Sequence, residues 1–87
     1  MQHATLGQRI RRVREAHGIS QVTLARRLNA STNAINMLEQ DRIRDPHWQR
    51  LVALAELLDV SLDYLAGRTD DPTPPQRLRP RPAAPGG

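Results

Sequence analysis

Residues 19–39, ISQVTLARRLNASTNAINMLE, carry the pattern that decides the fold. Two short apolar stripes at helical spacing flank a break at Asn29-Ala30. Gln21 opens the first stripe, with Ser20 placed to cap it, and Leu24, Ala25 and Leu28 share one face. Ser31 precedes the second stripe, where its hydroxyl can accept from the free N–H groups of a helix start. Ile35 and Leu38 give this second helix an inward face. Its outward face carries Thr32, Asn33, Asn36, Met37 and Gln40. Plain solvation favours charge on an exposed helix, whereas short amides and hydroxyls suit hydrogen bonding to base edges in a major groove.

The flanking sequence extends the same logic. A first helix is predicted from about Leu6 to His17, with Leu6, Ile10 and Val13 as its stripe. Thr5 and Gln8 have capping-box spacing, and Gly18 stops the helix. After the helix ending near Gln40 comes a polar loop, DRIRD. Asp45 is then expected to cap a fourth helix with Pro46 in its first position, where a missing N–H costs nothing. That helix carries Trp48, Leu51, Leu54, Ala55 and Leu58. A short fifth helix begins at Ser61, holds Leu62, Tyr64 and Leu65, and closes at Gly67. No alternating strand pattern or internal repeat appears, so the fold class is all-α with five helices. Residues 1–67 form the folded part. The remainder, 68–87, reads RTDDPTPPQRLRPRPAAPGG and holds six of the seven prolines. Its one sizeable apolar side chain is Leu78, so this proline- and arginine-rich tail is expected to be disordered or partly polyproline II, and inert or mildly electrostatic in effect.

Composition narrows the function. The chain has 87 residues, of which 38% are hydrophobic and 2% aromatic, a small core that dimerisation would reinforce. Its formal charge is +4, and all 13 basic residues are Arg, which favours a polyanionic partner. There is no Cys, which excludes disulfides, thiolate-bound zinc and thiol catalysis. His3, His17 and His47 lie in separate segments without a spaced carboxylate set, so neither a metal site nor catalysis is expected. No apolar run approaches a membrane span or a signal segment, which points to a cytoplasmic protein, bound to the nucleoid when on DNA.

The stretch from Leu6 to Gly67 resembles the Cro/C1-type (XRE) helix-turn-helix family of phage repressors and bacterial regulators. The likeness rests on R-I-x-x-x-R at Arg9–Arg14, S-Q-x-x-L-A at Ser20–Ala25 and I-x-x-L-E at Ile35–Glu39. Pro46, seven residues after that Glu, and V-S-L-D-Y-L at Val60–Leu65 complete it. The resemblance implies a five-helix lambda-repressor-like domain whose third helix reads DNA. Thr32, Asn33, Asn36 and Met37 then match positions that meet bases or the adjoining sugar-phosphate, and base contact is expected of them. Gln21 matches a glutamine that touches a phosphate and braces the recognition helix. Ser31, Gln40, Arg42 and Arg44 join it as backbone contacts. Arg14 and Glu39 match a buried interhelical salt bridge, which their places beside the Ile10–Val13 stripe and Leu38 also require, because charges at apolar faces must be paired. Leu62 and Tyr64 fall where the family makes its two-fold contact. Where the family often has Gly, this chain has Asn29, Asp41 and Asp59, types that tolerate left-handed backbone better than other non-glycine residues.

The expected function is a cofactor-free, sequence-specific transcriptional regulator, a repressor binding double-stranded DNA as a homodimer at an inverted repeat. Asn33 and Asn36 are each capable of a two-way pair with adenine N6 and N7. The alternative is an antitoxin that binds a toxin protein and its own promoter, which an adjacent toxin-like reading frame or a co-purifying second chain would favour. No convergent nucleophile, base or metal set supports an enzyme.

Overall fold

The computed structural model describes residues 4–74. They form five helices: α1 (Leu6–Ala16), α2 (Gln21–Arg27), α3 (Thr32–Glu39), α4 (Trp48–Leu57) and α5 (Leu62–Leu65). No helix among the described residues is long and apolar enough to cross a membrane. The helix starts follow from the sequence. Thr5 and Gln8 form a complete capping box on α1, and the Ser20, Ser31 and Ser61 hydroxyls each accept from an N–H in the first turn of α2, α3 and α5.

The stops are left-handed residues. Besides Gly18 and Gly67, positive φ occurs at Asn29 (56°), Asp41 (58°) and Asp59 (57°), the three places where the family often uses glycine. Asn29 is exposed, and glycine at that φ removes the Cβ penalty. Asn29→Gly is therefore expected to stabilise the domain by about 0.5–1 kcal/mol, raising Tm by roughly 2–8 °C. A calorimetric Tm at or below the parent's would contradict this.

Every helix sends a side chain to one core. Ile10, Leu24, Ile35, Leu54 and Leu65 are fully buried, as is Leu58 at the end of α4. Because α2 and α3 both anchor there through the stripes read from residues 19–39, their relative placement is fixed.

Three sequence expectations differ from the structure. The fourth helix begins at Trp48, with His47 as an N-cap that makes no side-chain capping bond. His47 is extended (φ −64°, ψ 126°), so Asp45 and Pro46 precede the helix and neither caps nor opens it. Nor is Trp48 part of the apolar stripe. Burial fades along α4 from Leu58 and Leu54 to half-buried Leu51, and Trp48 is 65% exposed, because the helix leaves the core toward its start. Finally, the chain after Gly67 stays on the domain as far as it is described. The Arg68 N–H bonds the Asp63 carbonyl, the Ser61 N–H bonds the Pro72 carbonyl, and Pro74 is buried against a cleft beside Val52 and Val60. The Asp71 carboxyl lies below its usual range because the Thr73 hydroxyl and then the Thr73 amide donate to it. The expected disorder of the remaining tail, 75–87, lies outside the described residues.

Candidate nucleic-acid interface

The α3 surface divides cleanly. Ile35, Leu38 and Glu39 are buried, whereas Thr32, Asn33 and Gln40 are exposed and Asn36 and Met37 half-buried. Positions 32, 33, 36, 37 and 40 are neighbours on a helix, so these five side chains form one uncharged stripe. Ser31 stands exposed at its start, its hydroxyl held by the Ala34 N–H at 3.0 Å. Arg42 and Arg44 stand exposed beyond its end. Gln21, Thr32, Asn36 and Gln40 line a common groove of about 530 Å³ between the start of α2 and the face of α3. Arg11 and the exposed Val22 border the same groove.

An ion pair braces the stripe from below. Arg14 Nε donates to Glu39 Oε2 at 2.6 Å, Nη2 donates to Oε1 at 3.1 Å, and Nη1 donates to the Ile19 carbonyl at 2.7 Å. Both residues are buried, which makes the two-pronged geometry necessary. Its hydrogen bonds to the Glu39 carboxylate raise the Arg14 pKa above its ordinary value, with burial opposing, so the guanidinium stays charged. Gln21 Nε2 donates to Glu39 Oε1 at 3.0 Å, tying α2 to the same anchor.

The two acids at the end of α3, Glu39 and Asp41, are turned to internal work. Glu39 is neutralised by Arg14. Asp41 accepts from the Thr5 hydroxyl and, at 2.9 Å, from the Gly7 N–H, so its charge serves the start of α1, whose first turn has no acid of its own. What remains at the edge of α3 is the positive charge of Arg42 and Arg44, suited to phosphates.

Other residues singled out in the sequence lie elsewhere. Tyr64 is half-buried with the Arg9 guanidinium 5.1 Å above its ring, and Leu62 is half-buried on α5. Arg9 is only 6% exposed and also reaches Asp70 at 3.7 Å, whereas its neighbours Arg11 and Arg12 are exposed. His17 places Nε2 2.7 Å from the Leu58 carbonyl, joining the ends of α1 and α4. Among the described residues, no group of three His, Cys, Asp or Glu side chains is arranged to hold a metal.

Comparison with known proteins agrees with this geometry. Residues 10–65 match a family model described as helix-turn-helix. The uncharacterised HTH-type transcriptional regulator YobD of Bacillus subtilis (strain 168) is 39% identical over 67 residues, covering 77% of this chain and 59% of that protein. The HTH-type transcriptional regulator ImmR of the same organism is 36% identical over 66 residues, covering 76% and 51%. The chain thus spans roughly half to three fifths of these relatives' length. Among solved structures, the P22 c2 repressor protein in complex with a synthetic operator superposes with a TM-score of 0.68 at 33% identity, over 72% of this chain and 94% of that one. The biofilm regulator SinR in complex with DNA gives 0.65 at 30% identity, over 70% and 97%. The matched family model covers well over half of the chain, and the chain belongs to the Cro/C1-type (XRE) helix-turn-helix family of DNA-binding transcriptional regulators.

Proposed function

We propose that this protein is a sequence-specific transcriptional regulator, a repressor that acts by occluding a promoter. In this reading α3 enters the major groove. Thr32, Asn33, Asn36 and Met37 meet bases, and Gln21, Ser31, Gln40, Arg42 and Arg44 follow the backbone. The uncharged α3 stripe, rimmed by Arg42 and Arg44 and backed by a neutralised Glu39, is the observation that carries it. The structural relatives with operator or DNA bound support the same assignment. The DNA-reading unit is residues 1–67, and 68–87 is an appendage to it. Leu62 and Tyr64 on α5 form the two-fold contact of a homodimer, which spaces two copies of α3 about 34–36 Å apart and calls for an inverted-repeat operator. A cytoplasmic, nucleoid-bound location follows from that role.

Selection from random duplexes tests the proposal. An enriched inverted repeat that loses preference at one position on Asn33→Ala is the expected result. Binding without enrichment would reject base reading. Arg42→Ala and Arg44→Ala are expected to weaken all duplexes alike, each lowering the salt slope by about 1. A loss confined to particular sequences would instead place that arginine on a base.

A second reading, that the chain serves chiefly to bind another protein, as an antitoxin or the target of a co-regulator would, is favoured by the solved complex of SinR with SinI. A second chain that co-purifies stoichiometrically and releases DNA would support it.

A further inference from the structure

The polarity of the α3 face is set from inside the protein. Arg14 has only donors, and it grips both oxygens of Glu39. Glu39 is thereby held as a pure acceptor, and the Gln21 NH2 group donates to its Oε1 at 3.0 Å. The Gln21 amide cannot be reversed, because its carbonyl would then face a carboxylate. The same NH2 group lies 3.5 Å from Asn36 Oδ1, and Gln40 Nε2 donates to that oxygen at 3.2 Å. Reversing Asn36 would set its NH2 against the fixed NH2 of Gln21, donor against donor, whereas the exposed Gln40 amide is free to turn either way. Asn36 Oδ1 is therefore committed inward. Every buried polar side-chain atom among the described residues has a partner, so the Asn36 NH2, which has no such bond, lies at the surface. Asn33 has no comparable lock. Its Nδ2 faces only the Met37 sulfur at 3.5 Å, a weak acceptor that leaves the amide free to turn.

We propose that the Arg14–Glu39–Gln21 chain locks the Asn36 amide so that it offers DNA only N–H donors. Asn36 then selects a base by an acceptor atom (guanine O6 or N7, thymine O4, adenine N7) and does not pair two-way with adenine. The inference rests on the reading that α3 enters the major groove. It makes Gln21 a positioning residue and gives the ion pair a second role, in specificity. The two asparagines divide accordingly: only Asn33 is able to accept from adenine N6.

The test uses the full chain and its selected operator. Asn36→Ala first identifies the base pair whose selectivity depends on Asn36. Base analogues at that pair then remove single groups. Purine for adenine, or 2-pyrimidinone for cytosine, deletes an exocyclic amine. A 7-deazapurine, or 5-methyl-2-pyrimidinone for thymine, deletes an acceptor. Loss of the amine is expected to change Kd by less than about twofold, and loss of the contacted acceptor to raise it about tenfold. Equal losses for amine and acceptor would mean two-way pairing and overturn the proposal. An enriched operator in which Asn36→Ala relaxes no position would also overturn it, while leaving the regulatory function standing. Failure to enrich any operator would instead reject the function on which it rests. In Gln21→Ala, checked by melting for an intact fold, selectivity at that base pair is expected to fall at least about threefold. Equal weakening at all four base pairs would show Gln21 to be merely structural and overturn its positioning role.

Discussion

Glu39→Ala is expected to cost the domain about 3–5 kcal/mol and, given the small core, to leave it largely unfolded at 37 °C. Arg14 is 8% exposed and Glu39 7%, so alanine strands a buried guanidinium that water reaches poorly. It also removes the acceptor for Gln21, the link from α2 to the end of α3. The magnitude comes from the stranded charge and not from the strength of the pair, since a buried ion pair gains in attraction about what it loses in desolvation. The double substitution Arg14→Met, Glu39→Leu, which removes both charges and fills the space, is therefore expected to be more stable than Glu39→Ala alone. Urea midpoints for the single and double variants decide the matter. A Glu39→Ala domain within about 1 kcal/mol of the parent would show that water or another acid satisfies Arg14.

The pair was legible in the sequence because both charges sit beside apolar helical stripes, and a stripe reports burial from local spacing. The serine caps were legible for the same reason, each being a property of a few consecutive residues, whereas the left-handed Asn29, Asp41 and Asp59 were marked by the family resemblance, as places where glycine is common. What escaped depends on which segments the chain brings together. Nothing near Asp41 shows that its carboxylate serves the start of α1, more than thirty residues earlier. Likewise, nothing in the residues around Arg9 shows that the fold sets Tyr64 beneath it and Asp70 beside it. Trp48 has the right spacing for the α4 stripe, but spacing cannot tell where the underlying core ends. The candidate site divides similarly. The α3 face follows from periodicity, whereas the direction of the Asn36 amide needed a chain of contacts across three helices.

Gly7→Ala is expected to be the other severe lesion, although Gly7 has an ordinary helical backbone and alanine is the better helix former. A Cβ at Gly7 would lie 2.5 Å from the carbonyl oxygens of both Leu38 and Glu39 and 2.8 Å from the Glu39 carbonyl carbon. All three are backbone atoms at the end of α3, so no side chain can swing aside and α1 must move away. The Gly7 N–H bond to Asp41 stretches as it does, and the Arg14–Glu39 pair, which spans the same two helices, loses its geometry. Overpacking together with one or two weakened hydrogen bonds comes to about 2–4 kcal/mol, more than the roughly 1 kcal/mol that alanine gains by propensity. Tm is expected to fall by about 5–20 °C on the net loss. Gly18→Ala is the control. Gly18 has φ +67° but nothing within 4 Å of a Cβ, so its substitution costs only the left-handed strain, about 1–2 kcal/mol. The glycine with normal dihedrals should thus prove the less replaceable of the two. A Gly7→Ala protein melting at or above Gly18→Ala would mean that α1 and α3 do not approach this closely. The relation between the ion pair and the α3 face would then need a different geometry.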